Sequence, residues 1–511
     1  MHTQFAIYRL NPLLGLITLL FLFLYSGCAR KNFYVETPVA DPAIHRQLQQ
    51  APTTIDSVTV QAGSHYARGF LYKVLWGARH RKSWIIPVTV PVLRVDTVKG
   101  GLEIEKIGGG MQTINVTMVG SDKMTYSLRT VDKRPEIDLP FPLRKTFISD
   151  LVLDQTSALH PYADLVVAPL AIAAKIPQAS PMLVYVKPNE EKLGEHKELL
   201  SDKLYMLEEK YNDKRALVGD LQEAYDIVGT KKMLKHRYGH NNYAIDQLAF
   251  AKARLLDLLI GDRDRHEGQW EWAVYEESGD HVYRPIPKDR DNAFYLFGNG
   301  LFSWVVSRRW AFRKYHSFSG KYKDVKALMI KSEDLDARAL PQVTAQQFDS
   351  LARDMQRSLT DEIIEQAVQR LPDAVYRLEG ESLAGKIKSR RNNLDKAARE
   401  FYEVLAKEVL VIGTDESERF EVVRLNDEET EVTVRRKADG NLTYHRVFYR
   451  GETKEIELHG LGGSDEFDLQ GQVRKGIKVI IVDEESEDNI RDISRVSGWK
   501  NKVVYNSKPG M

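Results

Sequence analysis

The side chains of this sequence best suited to chemistry fall in two acidic clusters. The first runs Gly261 Asp262 Arg263 Asp264 Arg265 His266 Glu267 Gly268 Gln269, and the second Pro287 Lys288 Asp289 Arg290 Asp291 Asn292 Ala293 Phe294. Transfer of a phosphoryl group needs one carboxylate to orient and deprotonate the accepting hydroxyl, and hard oxygen ligands to hold a divalent metal against the phosphates. Asp264, then Gln269 five residues on, then Asp289 or Asp291 offer those groups in that order. His266 reads as a hydrogen bonder that fixes the loop rather than as a ligand. Asp262, Arg263 and Arg265, taken singly, read as a solvated turn after a buried helix. Other chemistries lack their residues: there is no Gly-x-Ser-x-Gly, no His-Glu-x-x-His and no cysteine pair. Trp270 and Trp272 are the one hint of a carbohydrate cleft and serve equally well as core aromatics. Hydrolysis by a metal and two carboxylates stays open.

Positioning these clusters falls to a mixed set of elements. Residues 66–130 are mostly strand-like, with runs such as 84–95. Ile114, Val116 and Met118, then Met124, Tyr126 and Leu128, alternate about the turn Gly120 Ser121 Asp122 Lys123, which predicts a hairpin. Gly108, Gly109 and Gly110 precede it and could let backbone amides approach phosphates, although any tight turn could use them. On the second hairpin strand Ser127 and Arg129 share the face opposite Met124, Tyr126 and Leu128. Spacing turns helical over 146–175, a short strand follows at 182–186, and helices dominate 217–259, notably 245–260, and again 334–405. After Glu408 the pattern is strand-like to the end.

The ends of the chain carry other signals. Arg9 precedes an apolar run over 13–24 that is short for a bilayer span and has the length of a signal-peptide core. Tyr25 Ser26 Gly27 Cys28 resembles a bacterial lipobox, which implies acylation of Cys28, the only cysteine, and a tether to a membrane. The stretch 28–64, with Pro38, Pro42 and Pro52, reads as a linker. With 511 residues, 43% hydrophobic and 28% charged, the chain has material for two or three domains. Lys plus Arg (73) balances Asp plus Glu (72), so no global field recommends nucleic acid as a partner. Near the C-terminus, Gly460 Leu461 Gly462 Gly463 Ser464 Asp465 is similar to a degraded calcium-binding repeat. With one copy only, an exposed turn is the expected reading, and calcium is not expected there.

The elements Asp264 Arg265 His266 x x Gln269 and Pro287 x Asp289 x Asp291 x x Phe294 resemble the atypical kinase fold of the CotH spore-coat kinases. They are similar, more distantly, to HipA and to the secretory-pathway kinases that phosphorylate casein. Gly108 to Thr113, Arg129 to Lys133 and the two acidic clusters also resemble an uncharacterised group of Bacteroidetes envelope proteins, some with a BamA-like outer-membrane barrel downstream. This resemblance implies an α+β, two-lobed, protein-kinase-like fold followed by a small all-β domain. The implied layout is a signal peptide over 1–27, a linker over 28–64, a β-rich N-lobe over 65–210, a helical C-lobe over 211–408 and the β domain over 409–511. Asp264 would be the catalytic base. Gln269 would be a metal ligand where Asn is usual, with Asp289 a second and Asp291 its alternative, holding Mg2+ or Mn2+ with a nucleotide or another phosphate donor. Gly108, Gly109 and Gly110 would cradle phosphates, Arg129 would stand in the place of the kinase lysine with Lys133 as the alternative, and Asp154 would partner that cation. His266 would support the loop. The 205–209 segment resembles a hinge carrying Glu208 and Glu209. The expected location is the cell envelope, lipid-anchored at the outer membrane and facing the periplasm, where ATP is not maintained. The competing expectation is a kinase-like scaffold without catalysis, docking on a BamA-like partner.

Overall fold

The computed structural model describes residues 37–50, 54–108, 112–483, 488–497 and 504–507. Cys28, Gly109 and Gly110 lie outside the described residues. The architecture is α+β with an all-β C-terminal region, the class the sequence predicts.

The stretch expected to be a linker is folded over its described residues, 37–50 and 54–64. Asp41 accepts the Ala43 N–H at 2.7 Å and caps the helix Pro42–Leu48, whose proline sits where a missing N–H costs nothing. Val39, Leu48, Val58 and Val60 are buried in the main core. The strand-like reading of 66–130 also fails early, because Phe70–Trp76, designated α1, and Arg81–Ile85 are helical. Both are short, seven and five residues, so the surrounding structure decides their conformation rather than propensity.

The predicted hairpin forms. Strands β1 (Leu102–Gly108), β2 (Asn115–Gly120), β3 (Thr125–Thr130), β4 (Met182–Val186) and β5 (Lys203–Glu209) make one sheet in the order β1-β2-β3-β5-β4, every neighbouring pair antiparallel. Its register pairs Val116 with Leu128 and Met118 with Tyr126, all buried on one face. That leaves Asn115, Ser127, Arg129 and Glu208 to line a cleft on the other. Helix α2 (Ala163–Ala173) is apolar nearly all round and buried, with Asp164 its single charge.

A second sheet contains β6 (Asp226–Gly229), β7 (Tyr243–Ile245), β8 (Trp270–Glu277) and β9 (Asp280–Pro287), ordered β6-β8-β9-β7. In the chain, β7 and β8 are joined by the central helix α3 (Gln247–Ile260), where every residue from Phe250 to Ile260 except Lys252 is buried. A further short helix, α4 (Leu301–Val306), follows β9. Among the described residues, the C-terminal strands from Glu408 on form a four-stranded, a five-stranded and a two-stranded sheet, with a core of their own that includes Val411, Phe420, Val432, Leu458, Phe467 and Ile481. Arg436 ties them to the second sheet by donating to Asp280 at 2.6 Å.

Candidate functional site

The β8–β9 hairpin explains how clusters 25 positions apart meet. Its two-residue turn, Ser278 Gly279, has φ of +53° and +88°, the left-handed pair that suits strand twist, and the register pairs Trp270 with Pro287. Gln269 and Lys288 therefore leave the hairpin side by side, and the Lys288 N–H donates to the Gln269 carbonyl at 3.1 Å. The first cluster is also fixed from α3. Gly261 ends that helix at φ +70°, where a Cβ would meet Phe318 at 2.7 Å. Buried Arg390 donates to the last-turn carbonyls of Leu258 and Leu259, the end of a helix that favours a cation.

Under the loop lies a buried charge hub. Asp257 on α3 accepts from Arg254 at 2.9 Å, Arg265 at 3.2 Å and Arg290 at 3.1 Å. Burial alone would raise its pKa, but the three guanidiniums outweigh burial and hold it below the usual value. Arg265 reaches on to the Lys288 carbonyl at 2.6 Å and the Gln269 carbonyl at 3.1 Å, with Trp270 against its guanidinium face, and so clamps the two clusters together. Asp262 accepts the Asp264 N–H at 3.0 Å, and burial pushes its carboxyl up to about 7 against the pull of Arg265. Arg263 lies over the Tyr295 ring at 3.7 Å. The solvated-turn reading is thus corrected: Asp262 and Arg265 are buried and hold the loop from beneath, and Arg263 is half-buried against aromatic rings.

Asp264, Gln269, Asp289, Asp291, Arg129 and Lys133 all line one cleft of about 400 Å³ between the first sheet and this loop. Arg129 is its electrostatic centre. It bonds Asp289, and lies 3.2 Å from Asp291, 3.2 Å from Asp164 and 3.8 Å from Glu208. Burial would lower its pKa, yet the four carboxylates outweigh burial and hold it well above the ordinary arginine value. Lys133 pairs with Asp291. Burial pushes Asp164 up to about 8 and Glu208 up to about 7 despite Arg129. Burial and the neighbouring Asp289 raise Asp291, whereas Arg129 and Lys133 overcome burial at Asp289 and hold it well below the carboxylate range. Asp289 and Phe294 carry φ of +57° and +58°, rare for residues with a Cβ, so surrounding structure must hold the second cluster in shape.

Several expectations need revision. Asp154 does not face the cleft cation: it is buried 2.6–3.2 Å from Arg68, Arg79 and Arg81. The helix-borne carboxylate that meets Arg129 is Asp164, one helix later, and its signal was its solitude in an apolar segment. Gln269 lines the cleft, but its amide oxygen accepts from Arg265 at 3.2 Å, which occupies the atom a metal would need. Asn292, donating to Asp291 at 2.9 Å and also lining the cleft, is the amide that sequence reasoning passed over. Gly108 ends β1 exposed and is not among the cleft residues, which on that side begin with Gln112 and Thr113. His266 accepts the Gly268 N–H at 3.1 Å through Nδ1, the loop-fixing role expected of it. Asp264 is half-buried, and no hydrogen bond occupies its carboxylate among the described residues.

A second polar cluster, His80, His160 and Glu379, has metal-ligand residue types. The His160 Nδ1 accepts the Tyr162 N–H at 3.1 Å, so in the neutral ring Nε2 carries the hydrogen and donates to Glu379 at 3.1 Å. The His80 Nε2 donates to the Phe294 carbonyl at 2.9 Å. Hydrogen-bond logic makes this cluster a clasp on the second acidic loop, with His160 turned the wrong way for a metal.

No protein-family model matches the sequence, and no curated protein matches it. Among solved structures, the chain is similar to the Helicobacter pylori proinflammatory kinase CtkA, with a TM-score of 0.33 and 13% identity over 58% of this chain and 96% of that one. It is also similar to the Golgi casein kinase with Mn/ADP bound, with a TM-score of 0.28 and 12% identity over 62% and 78% of the two chains. A further Golgi casein kinase structure gives 0.28 and 12% over 74% and 93%.

Proposed function

We propose that the cleft binds a phosphorylated ligand through a divalent metal and transfers a phosphoryl group from it to a hydroxyl. The observation that carries this reading is the charge set around Arg129. Four carboxylates, Asp164, Glu208, Asp289 and Asp291, face two cations, Arg129 and Lys133, so full ionisation leaves an excess of two negative charges. Burial, with the neighbouring carboxylates adding to it, raises the pKa of three of them, so the site holds that charge only at a cost. A hard divalent ion, Mg2+ or Mn2+, would relieve it, and Asp289, Asp291 and Asn292 supply the oxygen donors such ions prefer. Bound there, the ion neutralises phosphate charge. Arg129, aimed by Asp164 and Glu208, holds phosphate oxygens, as a fork rather than the point charge of a lysine. Asp264 takes the proton of the accepting hydroxyl as its oxygen bonds to phosphorus, and the bond to the donor breaks with its electron pair on the leaving group.

Cys28 acylation and an envelope location belong to the same proposal, and they favour a donor available outside the cytoplasm. The alternative is a binding or docking protein without transfer. It draws support from Arg129 in the lysine position and from the amide oxygen of Gln269 held by Arg265. Full-length protein with Mn2+ and a nucleotide separates the readings. The proposal expects the pair to raise the melting temperature, Asp289→Ala to abolish the shift, and Asp264→Asn to keep the shift while losing transfer. Absence of a shift with every nucleotide and metal tried refutes it. A shift without transfer by the wild-type chain favours the docking reading, which expects removal of 409–511, and not Asp264→Ala, to matter in cells.

A further inference from the structure

Helices α1 and α4 turn their apolar faces outward. Phe70, Leu71, Leu301, Trp304, Trp310 and Phe312 are all exposed, Phe70 by 75% and Trp310 by 76%. Of the 22 exposed large hydrophobic residues among those described, nine fall within 70–74 and 301–312, which makes a patch rather than a scatter. The two helices form one surface. Trp76 and Phe302 have ring centroids 5.4 Å apart, and a Cβ on Gly300 would lie 2.1 Å from the Gly77 nitrogen.

Charge identifies what fits this surface. Residues 57–95 and 292–323 contain no Asp or Glu and six Lys or Arg each. Some of these cations are spent internally: Arg68, Arg79 and Arg81 on Asp154, and Arg309 and Arg313 on buried Asp324. Lys73 on α1, and Arg308 and Lys314 beside α4, make no ion pair among the described residues, and Arg308 lies over the Trp304 ring at 3.4 Å. Tryptophan, phenylalanine and leucine bordered by lysine and arginine, with no carboxylate in either segment and Asp154 and Asp324 buried, suit the headgroup and acyl boundary of an anionic bilayer.

We infer that this patch seats the folded protein on an anionic phospholipid surface, independently of any lipid on Cys28. The segment 292–323 leads out of the second acidic loop, so docking holds that loop's continuation at the bilayer. The test uses the full chain carrying Cys28→Ala, which cannot be acylated, with vesicles of phosphatidylglycerol and phosphatidylethanolamine. Co-sedimentation is expected, together with a blue shift of tryptophan emission. Phe70→Ser, Trp304→Ser and Trp310→Ser combined should weaken binding at least about tenfold while leaving the melting temperature unchanged, since all three side chains are exposed. If the Cys28→Ala chain stays in the supernatant, or if the triple variant binds vesicles as tightly as its parent, so that the apolar run over 13–24 carries the binding, the inference fails. It fails equally if the chain self-associates without vesicles and the triple variant is monomeric, because the patch is then an interface between copies.

Discussion

Asp257→Asn tests the claim that a buried charge hub holds the two acidic clusters together. The carboxylate has no exposed surface and serves three buried guanidiniums at 2.9–3.2 Å. An asparagine keeps the shape but offers one acceptor oxygen and turns an NH2 toward arginine donors. Arg254 would retain Asp336 at 2.7 Å, and Arg265 would retain Asp262 at 3.8 Å. Arg290 would keep only the neutral amide oxygen of Gln178, at 2.9 Å. One buried cation thus loses its hydrogen-bonded counter-charge and keeps only the longer-range pull of Asp262, a change that costs about 3–5 kcal/mol. Urea unfolding followed by tryptophan emission reads this directly, because Trp270 and Trp272 are buried in the hairpin above the hub. Asp349→Asn, removing a half-exposed pair with Arg399, is the control and should move stability by about 0.5 kcal/mol or less. The pH dependence has a definite sign. Asp257 has a depressed pKa, so its contribution is full above the unfolded carboxylate value of about 3.9 and is lost as pH falls through the folded value. The gap between wild type and variant should therefore be constant near neutrality and close in acid. A loss under about 1 kcal/mol at pH 7 would refute the hub, since no counted interaction could then be holding Arg290.

Two further predictions concern single positions. Gly261→Ala should cost at least about 1–2 kcal/mol and weaken metal-nucleotide binding, because φ of +70° and a Cβ 2.7 Å from Phe318 strain the turn that launches Asp264; urea unfolding and the thermal shift check the two effects. In the C-terminal sheets, Asp465 is pushed up to about 8 by burial, with the carboxylates of Glu418 and Asp488 adding to it against the Glu418 N–H. Its folded pKa exceeds the unfolded one, so its contribution is full below about pH 4 and lost as pH rises through 8. Thermal melts should show the wild type losing stability between pH 5 and 9 while Asp465→Asn, which keeps the oxygen that accepts the Glu418 N–H at 2.7 Å, stays flatter. Equal losses would rule Asp465 out as the cause.

What sequence could and could not reveal follows from the range of the interactions involved. The 114–130 hairpin was legible because alternation is local, and alternation also put Arg129 on the cleft face without any knowledge of the third dimension. The order Asp264, Gln269, Asp289 was legible for the same reason, since one short hairpin joins the two clusters. Asp154 and Asp164 illustrate the limit. Both sit on helices after the hairpin, and choosing between them needs to know that Arg68, Arg79 and Arg81 come back to Asp154 from more than 70 positions upstream. Composition of the local segment held the better clue. A lone carboxylate in a helix buried all round must find a cation or take a proton, and Asp164 does some of each: it meets Arg129 at 3.2 Å and is still pushed up to about 8 by burial. The same rule applies to Gln269. Counting five residues from Asp264 placed an amide at the expected spacing, yet spacing says nothing about a buried Arg265 competing for its oxygen. Asp289 and Asp291 are under the same constraint, since their oxygens already meet Arg129, Lys133 and the Asn292 amide, and none of those partners can be read from spacing along the chain.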